Sequence, residues 1–243
     1  MRILVVNANT TLAITEACVL AAQAAAAPGT EILGATPEFG PSVISTRAEN
    51  AIAAHALLAT LAEHAGAVDA AILAVSHDTA LDAARQLMPC PVIGMTEAAC
   101  LTACLLGGSF GVLTLGQARP YEELVARHGL TARCAEVVGL PLTPQQAIAN
   151  PDGAAGQVLA AAEAMAARCD SVVLAGAALA GMAVQLQDRS PVPLLDGITC
   201  AVKLAEALVA QRLPKPRTGS YAAPSGRTGI GLSPALERLL RGG

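Results

Sequence analysis

Aromatic residues are scarce. Two Phe, two Tyr and no Trp make up 2% of the 243 residues, so a core must be built from Ala, Val, Leu and Ile, and the stacking platforms that bind single-stranded nucleic acid are missing. Charge is thin too: Asp, Glu, Lys and Arg are 14% of the chain and sum to a net −4. With no basic footprint, the composition argues against nucleic acid as a partner. The seven cysteines (Cys18, Cys90, Cys100, Cys104, Cys134, Cys169, Cys200) form no CxxC pair and have no histidine at ligand spacing, so no metal site is expected. Their odd number, with no secretory signal ahead of the aliphatic run that follows Met1, points to reduced thiols and a cytoplasmic protein. Ala98 to Ala118 is uncharged and nearly long enough to span a membrane, but Gly107-Gly108-Ser109 divides it into a helix end and a strand, so no membrane partner is expected.

What the chain has is aliphatic: 53% of residues are hydrophobic, enough for one large core or two smaller ones. The stretch from Asp69 to Cys100, DAAILAVSHDTALDAARQLMPCPVIGMTEAAC, organises the rest. An apolar run (Ala70 to Val75) breaks into a polar turn, Ser76-His77-Asp78-Thr79, a helical pattern runs to Leu87, and a second strand follows at Pro91 to Met95. Asp170 to Cys200 copies it, with Pro91, Val92 and Cys100 matching Pro191, Val192 and Cys200 at one constant offset. The expected fold is therefore α/β, two pseudo-symmetric lobes with parallel sheets and an active site in the cleft between them. The first lobe would hold residues 1–97 plus the 200–243 tail, the second 98–199. Ligands of such folds bind beyond the carboxyl ends of the strands, which places the Ser76 and Gly176 loops on the two walls.

Along the chain, Ile3 to Val6 predicts a buried strand ending in Asn7-Ala8-Asn9-Thr10-Thr11. These residues fit a helix cap and equally a carboxylate or phosphate site at a helix N-terminus. Strands are expected at Glu31–Ala35, Phe110–Leu115 and Cys134–Gly139. Helices are expected at Arg47–Ala65, Ala98–Leu106 and Glu122–His128, with a long one before Cys169 and a short one over Leu232–Leu240. His128 then reads as a partner of its own helix dipole. Pro214 to Gly226 predicts irregular chain.

Val6-Asn7-Ala8-Asn9-Thr10-Thr11, the Gly40-Pro41 loop, Pro91 to Ala99 and Pro191 to Gly197 resemble the hydantoin racemase branch of the aspartate/glutamate racemase superfamily. The resemblance runs from Arg2 to about Leu208 and implies two α/β lobes, a small-molecule substrate, no cofactor and, with the apolar helices, a homo-oligomer. Racemases of that superfamily use two cysteines, one per lobe, as acid and base on either face of a carbon next to a carbonyl, and its arylmalonate decarboxylases keep one. Counted from each strand start, those positions fall on Val75 and Gly176; matching Ala180-Gly181-Met182 to the motif moves the second to Leu179. Neither alignment restores a thiol.

His77, flanked by Ser76 and Asp78, is the residue left to move a proton, since histidine titrates near neutral pH. The expected catalytic set is His77, Asp78 and Ser76. The expected substrate-binding set is Asn9, Thr10, Thr11, Thr114, Val75, Gly176 and Ala177, holding a carboxylate or imide group. The expected activity is cofactor-independent proton transfer next to a carbonyl or carboxylate of a hydantoin-like or amino-acid-like molecule. A decarboxylase, hydrolase or lyase on the same scaffold, or a non-catalytic small-acid-binding protein, are the alternatives.

Overall fold

The computed structural model describes residues 1–242. Its eight strands form two parallel four-stranded sheets. The first comprises β1 (Arg2–Val6), β2 (Glu31–Ala35), β3 (Ala70–Leu73) and β4 (Val92–Gly94) in the order β2-β1-β3-β4. The second comprises β5 (Phe110–Leu115), β6 (Cys134–Leu140), β7 (Ser171–Ala175) and β8 (Leu194–Asp196) in the order β6-β5-β7-β8. One permutation is the other shifted by four strands, so the internal repeat read from Asp69 and Asp170 is a repeat of topology. The central strands are continuous aliphatic runs because helices cover both faces: Ile3, Leu4, Val5 and Val6 are fully buried, as are Ala70 to Leu73.

Helix α1 (Leu12–Ala25) follows β1, and α2 (Arg47–Glu63) opens with a reciprocal capping box between Thr46 and Glu49. It stops two residues before the expected Ala65. Helix α3 (Leu81–Leu87) lies between β3 and β4, and α4 (Met95–Leu106) starts directly after β4. The strand expected at Pro91–Met95 is thus shortened, because a carboxylate from upstream caps the helix at once. In the second half, α5 (Arg119–Arg127) follows β5. The long helix expected before Cys169 is α7 (Pro151–Met165), and the segment leading into it holds a short one, α6 (Pro144–Ala149). Pro151 forces the break, since the residue before a proline is pushed out of helical conformation, and Asn150 then caps α7 through Gly153 N–H. Helices α8 (Met182–Leu186) and α9 (Gly197–Gln211) precede and follow β8. The 214–226 stretch is irregular, and α10 (Pro234–Arg241) ends the described chain.

Two compact units result. The first contains Met1–Ala74, Thr79–Gly94 and the chain from Val202 on; the second contains Val75–Asp78 and Met95–Ala201. The divisions fall at 94/95 and 201/202, with α4 packed on β7 and β8, and Val75–Asp78 goes with the second unit although 1–97 was expected to form the first. In the first unit α10 lies on α2, burying Ala62, Ala235 and Leu236 against Leu58, Leu232 and Leu239. Lys215 Nζ anchors the preceding segment by donating to the carbonyls of Arg85, Gln86 and Met88 at 2.8, 2.7 and 2.6 Å. The second unit's core includes Leu113, Val158, Ala162, Met165, Leu174 and Leu179. Each fully buried Val, Leu or Met side chain of this core contributes about 1.5–3 kcal/mol.

Candidate functional site

One residue beyond β3, the four residues Val75–Asp78 leave their own sheet and join the second unit. They close a turn in which Asp78 N–H donates to Val75 O at 3.0 Å, and Asp78 takes a left-handed φ of 47°. Asp tolerates that conformation better than most residues. Its buried carboxylate accepts Thr96 N–H at 3.1 Å and Glu97 N–H at 2.8 Å. Asp78 therefore caps α4 from 18 residues upstream, placing an anion at the positive end of the helix. His128 Nε2 lies 3.2 Å from the same carboxylate, and its Nδ1 lies 3.5 Å from Glu97 Oε1. Burial pushes the Asp78 carboxyl above its ordinary value; His128 and the two backbone donors oppose that shift.

The neighbouring side chains meet Tyr121 of α5. Ser76 Oγ and Tyr121 Oη share a hydrogen bond of 2.7 Å. The His77 ring stacks on the phenol ring, centroids 5.2 Å apart and planes inclined by 26°. Arg127 donates to His77 O at 3.2 Å and Thr96 Oγ1 to Ser76 O at 2.8 Å. Burial lowers the His77 pKa, Asp78 raises it, and Arg127 lowers it again. Nδ1 of His77 is buried without a hydrogen-bond partner. Burial raises the Tyr121 pKa, with Ser76 and then Thr114 pulling the other way. Thr114 is fully buried at the end of β5, and its hydroxyl lacks a hydrogen bond of good geometry.

Of the residues picked out from the sequence, Ser76, His77, Asp78 and Thr114 gather around Tyr121 in the second unit. Val75 is 6% exposed at the root of the loop. Gly176 and Ala177 follow β7, whose Ala175 pairs with Thr114. A Cβ at Gly176 would stand 3.6 Å from Leu179 Cγ, so the two alternative cysteine positions share one neighbourhood. In the first unit, Asn9, Thr10 and Thr11 form a tied loop. Asn9 Oδ1 accepts from Asn7 Nδ2 and from Thr11 N–H, both at 2.9 Å, and Thr10 N–H donates to Pro41 O at 3.0 Å. The Thr10 and Thr11 amides are therefore spent on the protein, which weakens the backbone anion site suggested by the sequence.

Sequence reasoning missed two members of the cluster. His128 is the C-cap of α5, but its ring bridges Asp78 and Glu97 instead of serving only the helix end. Tyr121 and His128 are seven residues apart, two helical turns, so a shared face was the available signal. The thiols are remote from such chemistry: burial holds Cys100 well above the ordinary value and pushes Cys90, Cys134 and Cys200 up to about 11. Among the described residues, no group of three or more His, Cys, Asp or Glu side chains is arranged to hold a metal ion, and no helix is long and apolar enough to cross a membrane.

Comparison with known proteins agrees with this architecture. Residues 3–205 match the family described as Asp/Glu/Hydantoin racemase. A hydantoin racemase of Paenarthrobacter aurescens is 35% identical over 232 residues, covering 93% of this chain and 98% of that protein. The structure of the allantoin racemase from Klebsiella pneumoniae superposes with a TM-score of 0.91 at 33% identity, covering 98% of this chain and 99% of that one. An arylmalonate decarboxylase structure, at 16% identity and a TM-score of 0.62 with full coverage of both chains, shares the fold. With residues 3–205 matched by the family and a hydantoin racemase 35% identical over 93% of the chain, this protein belongs to the Asp/Glu/hydantoin racemase family, in its hydantoin racemase branch.

Proposed function

We propose that this racemase-family enzyme moves the proton on carbon 5 of a hydantoin ring, with His77 in place of the thiol. Carbon 5 lies next to a ring carbonyl, so removing its proton gives an enolate. Allantoin is itself a hydantoin with a ureido group on that carbon, and the likeness to hydantoin and allantoin racemases supports this substrate class. The observation that carries the reading is the held His77 ring: stacked on Tyr121, two residues beyond Val75, and kept neutral by burial so that it can accept a proton at pH 7. Thr114, with a hydroxyl short of partners, is a donor suited to a ring carbonyl or the developing enolate oxygen.

A single imidazole works on one face of the carbon. Inversion then depends on reprotonation from the other face, where Gly176, Ala177 and Leu179 at the end of β7 offer no ionisable side chain. Exchange with solvent should therefore outrun inversion. The test is proton NMR in D₂O on enantiopure 5-substituted hydantoins and allantoin, with optical rotation followed in parallel. Loss of the C5 proton signal faster than loss of rotation is expected, and His77→Gln should abolish both. No exchange above the uncatalysed rate, or full exchange by His77→Gln, would overturn the assignment.

A further inference from the structure

Helix α5 touches each of the three polar residues of the loop: Tyr121 bonds Ser76 and stacks on His77, Arg127 holds the His77 carbonyl, and His128 reaches Asp78. We propose that His128 is a positioning residue for the reaction, fixing the left-handed turn at Asp78 and thereby the direction of the His77 ring. The proposal rests on His77 being the acid/base group.

The side chains of Asp78, His128 and Glu97 are 0%, 10% and 13% exposed. His128 is thus wedged between two carboxylates, one from the loop and one from the first turn of α4. Asp78 Oδ2 already accepts Glu97 N–H, and His128 adds a second contact to the same oxygen. Without the imidazole, Asp78 still has two backbone donors, but nothing ties it to α5. A left-handed non-glycine residue persists only where its surroundings over-determine it. The residue before that turn is His77, so rotation at Asp78 carries the histidine backbone with it, away from Arg127 and Tyr121. Small displacements of this kind are expensive in rate while leaving substrate contacts elsewhere intact.

The experiment compares His128→Leu, which fills the volume without hydrogen bonds, with His128→Gln, whose amide N–H still reaches toward Asp78. C5 exchange is measured as kcat and KM, with thermal unfolding recorded for each protein. His128→Leu should lower kcat on the order of 100-fold with KM changed less than about 3-fold, and His128→Gln should recover most of the rate. Should His128→Leu fail to fold, His128→Asn, whose shorter amide withdraws from Asp78, replaces it in the comparison with His128→Gln. A wild-type kcat in the His128 variants, with the His77 dependence intact, would overturn the positioning role alone. Full exchange by His77→Gln would overturn both readings.

Discussion

His77 is shaped by what surrounds it more than by what touches its nitrogens. Burial is the largest influence and disfavours the imidazolium, Asp78 works against that, and Arg127 adds to it. The folded pKa is thus depressed below the ordinary value of 6.5. A base is active in its unprotonated form, so the acid limb of the kcat/KM profile should have its midpoint below pH 6.5; a limb above that value would contradict the burial argument. The sign for stability follows. The unfolded chain binds this proton more readily, so lowering the pH through 6.5 should cost stability that His77→Gln does not lose. Tyr121 is the other residue to probe. Tyr121→Phe keeps the ring stack but strands the Ser76 hydroxyl, which should destabilise the protein by about 1–2 kcal/mol in denaturant unfolding. A variant as stable as the parent would mean that the Ser76 bond adds nothing.

At the scale of elements, strand runs and proline punctuation were readable because they are local. Ile3–Val6 and Ala70–Leu73 are continuous aliphatic stretches, and Pro91 and Pro191 mark the same place in both halves. The start of α4 was not readable, because the carboxylate that caps it lies 18 residues away in sequence. Nor was the Asp78–His128 contact, which joins residues 50 apart; periodicity shows that Tyr121 and His128 share a face but not what that face meets. One element boundary is fixed by backbone alone. A Cβ at Gly139 of β6 would run into the Gly116 carbonyl oxygen, in the turn that delivers α5. Gly139→Ala should therefore cost about 1–3 kcal/mol, as overpacking does. Gly156, inside α7 with nothing within 4 Å of its missing Cβ, is the contrast: Gly156→Ala should stabilise by about 0.5–1 kcal/mol. Denaturant midpoints that failed to move in opposite directions would remove the steric argument for how β6 seats the α5 turn.

The whole molecule raises the question of why a chain with the repeat intact lacks the paired thiols. Val75–Asp78 grows out of the first sheet yet belongs to the second compact unit, where Gly176 also lies. Val75 and both alternative second positions, Gly176 and Leu179, are therefore carried by one body, even though they come from different halves of the repeat. Gly176 has a φ of 165°, extended backbone open to any residue, and a Cβ there meets Leu179 at ordinary contact distance. Val75 is close in volume to cysteine and immediately precedes the Ser76 to Asp78 turn that α5 holds. The scaffold should thus accept Val75→Cys together with Gly176→Cys without repacking. Buried thiols elsewhere in this chain are pushed up to about 11, so the introduced pair works only if its strand-end placement stabilises the thiolate. If it does, the double variant should bring the rates of C5 exchange and loss of optical rotation toward equality, because each face then has its own acid or base. Val75→Cys alone should leave inversion lagging behind exchange. A double variant that folds with native stability yet still exchanges faster than it inverts would show that the second wall has diverged beyond the loss of one side chain.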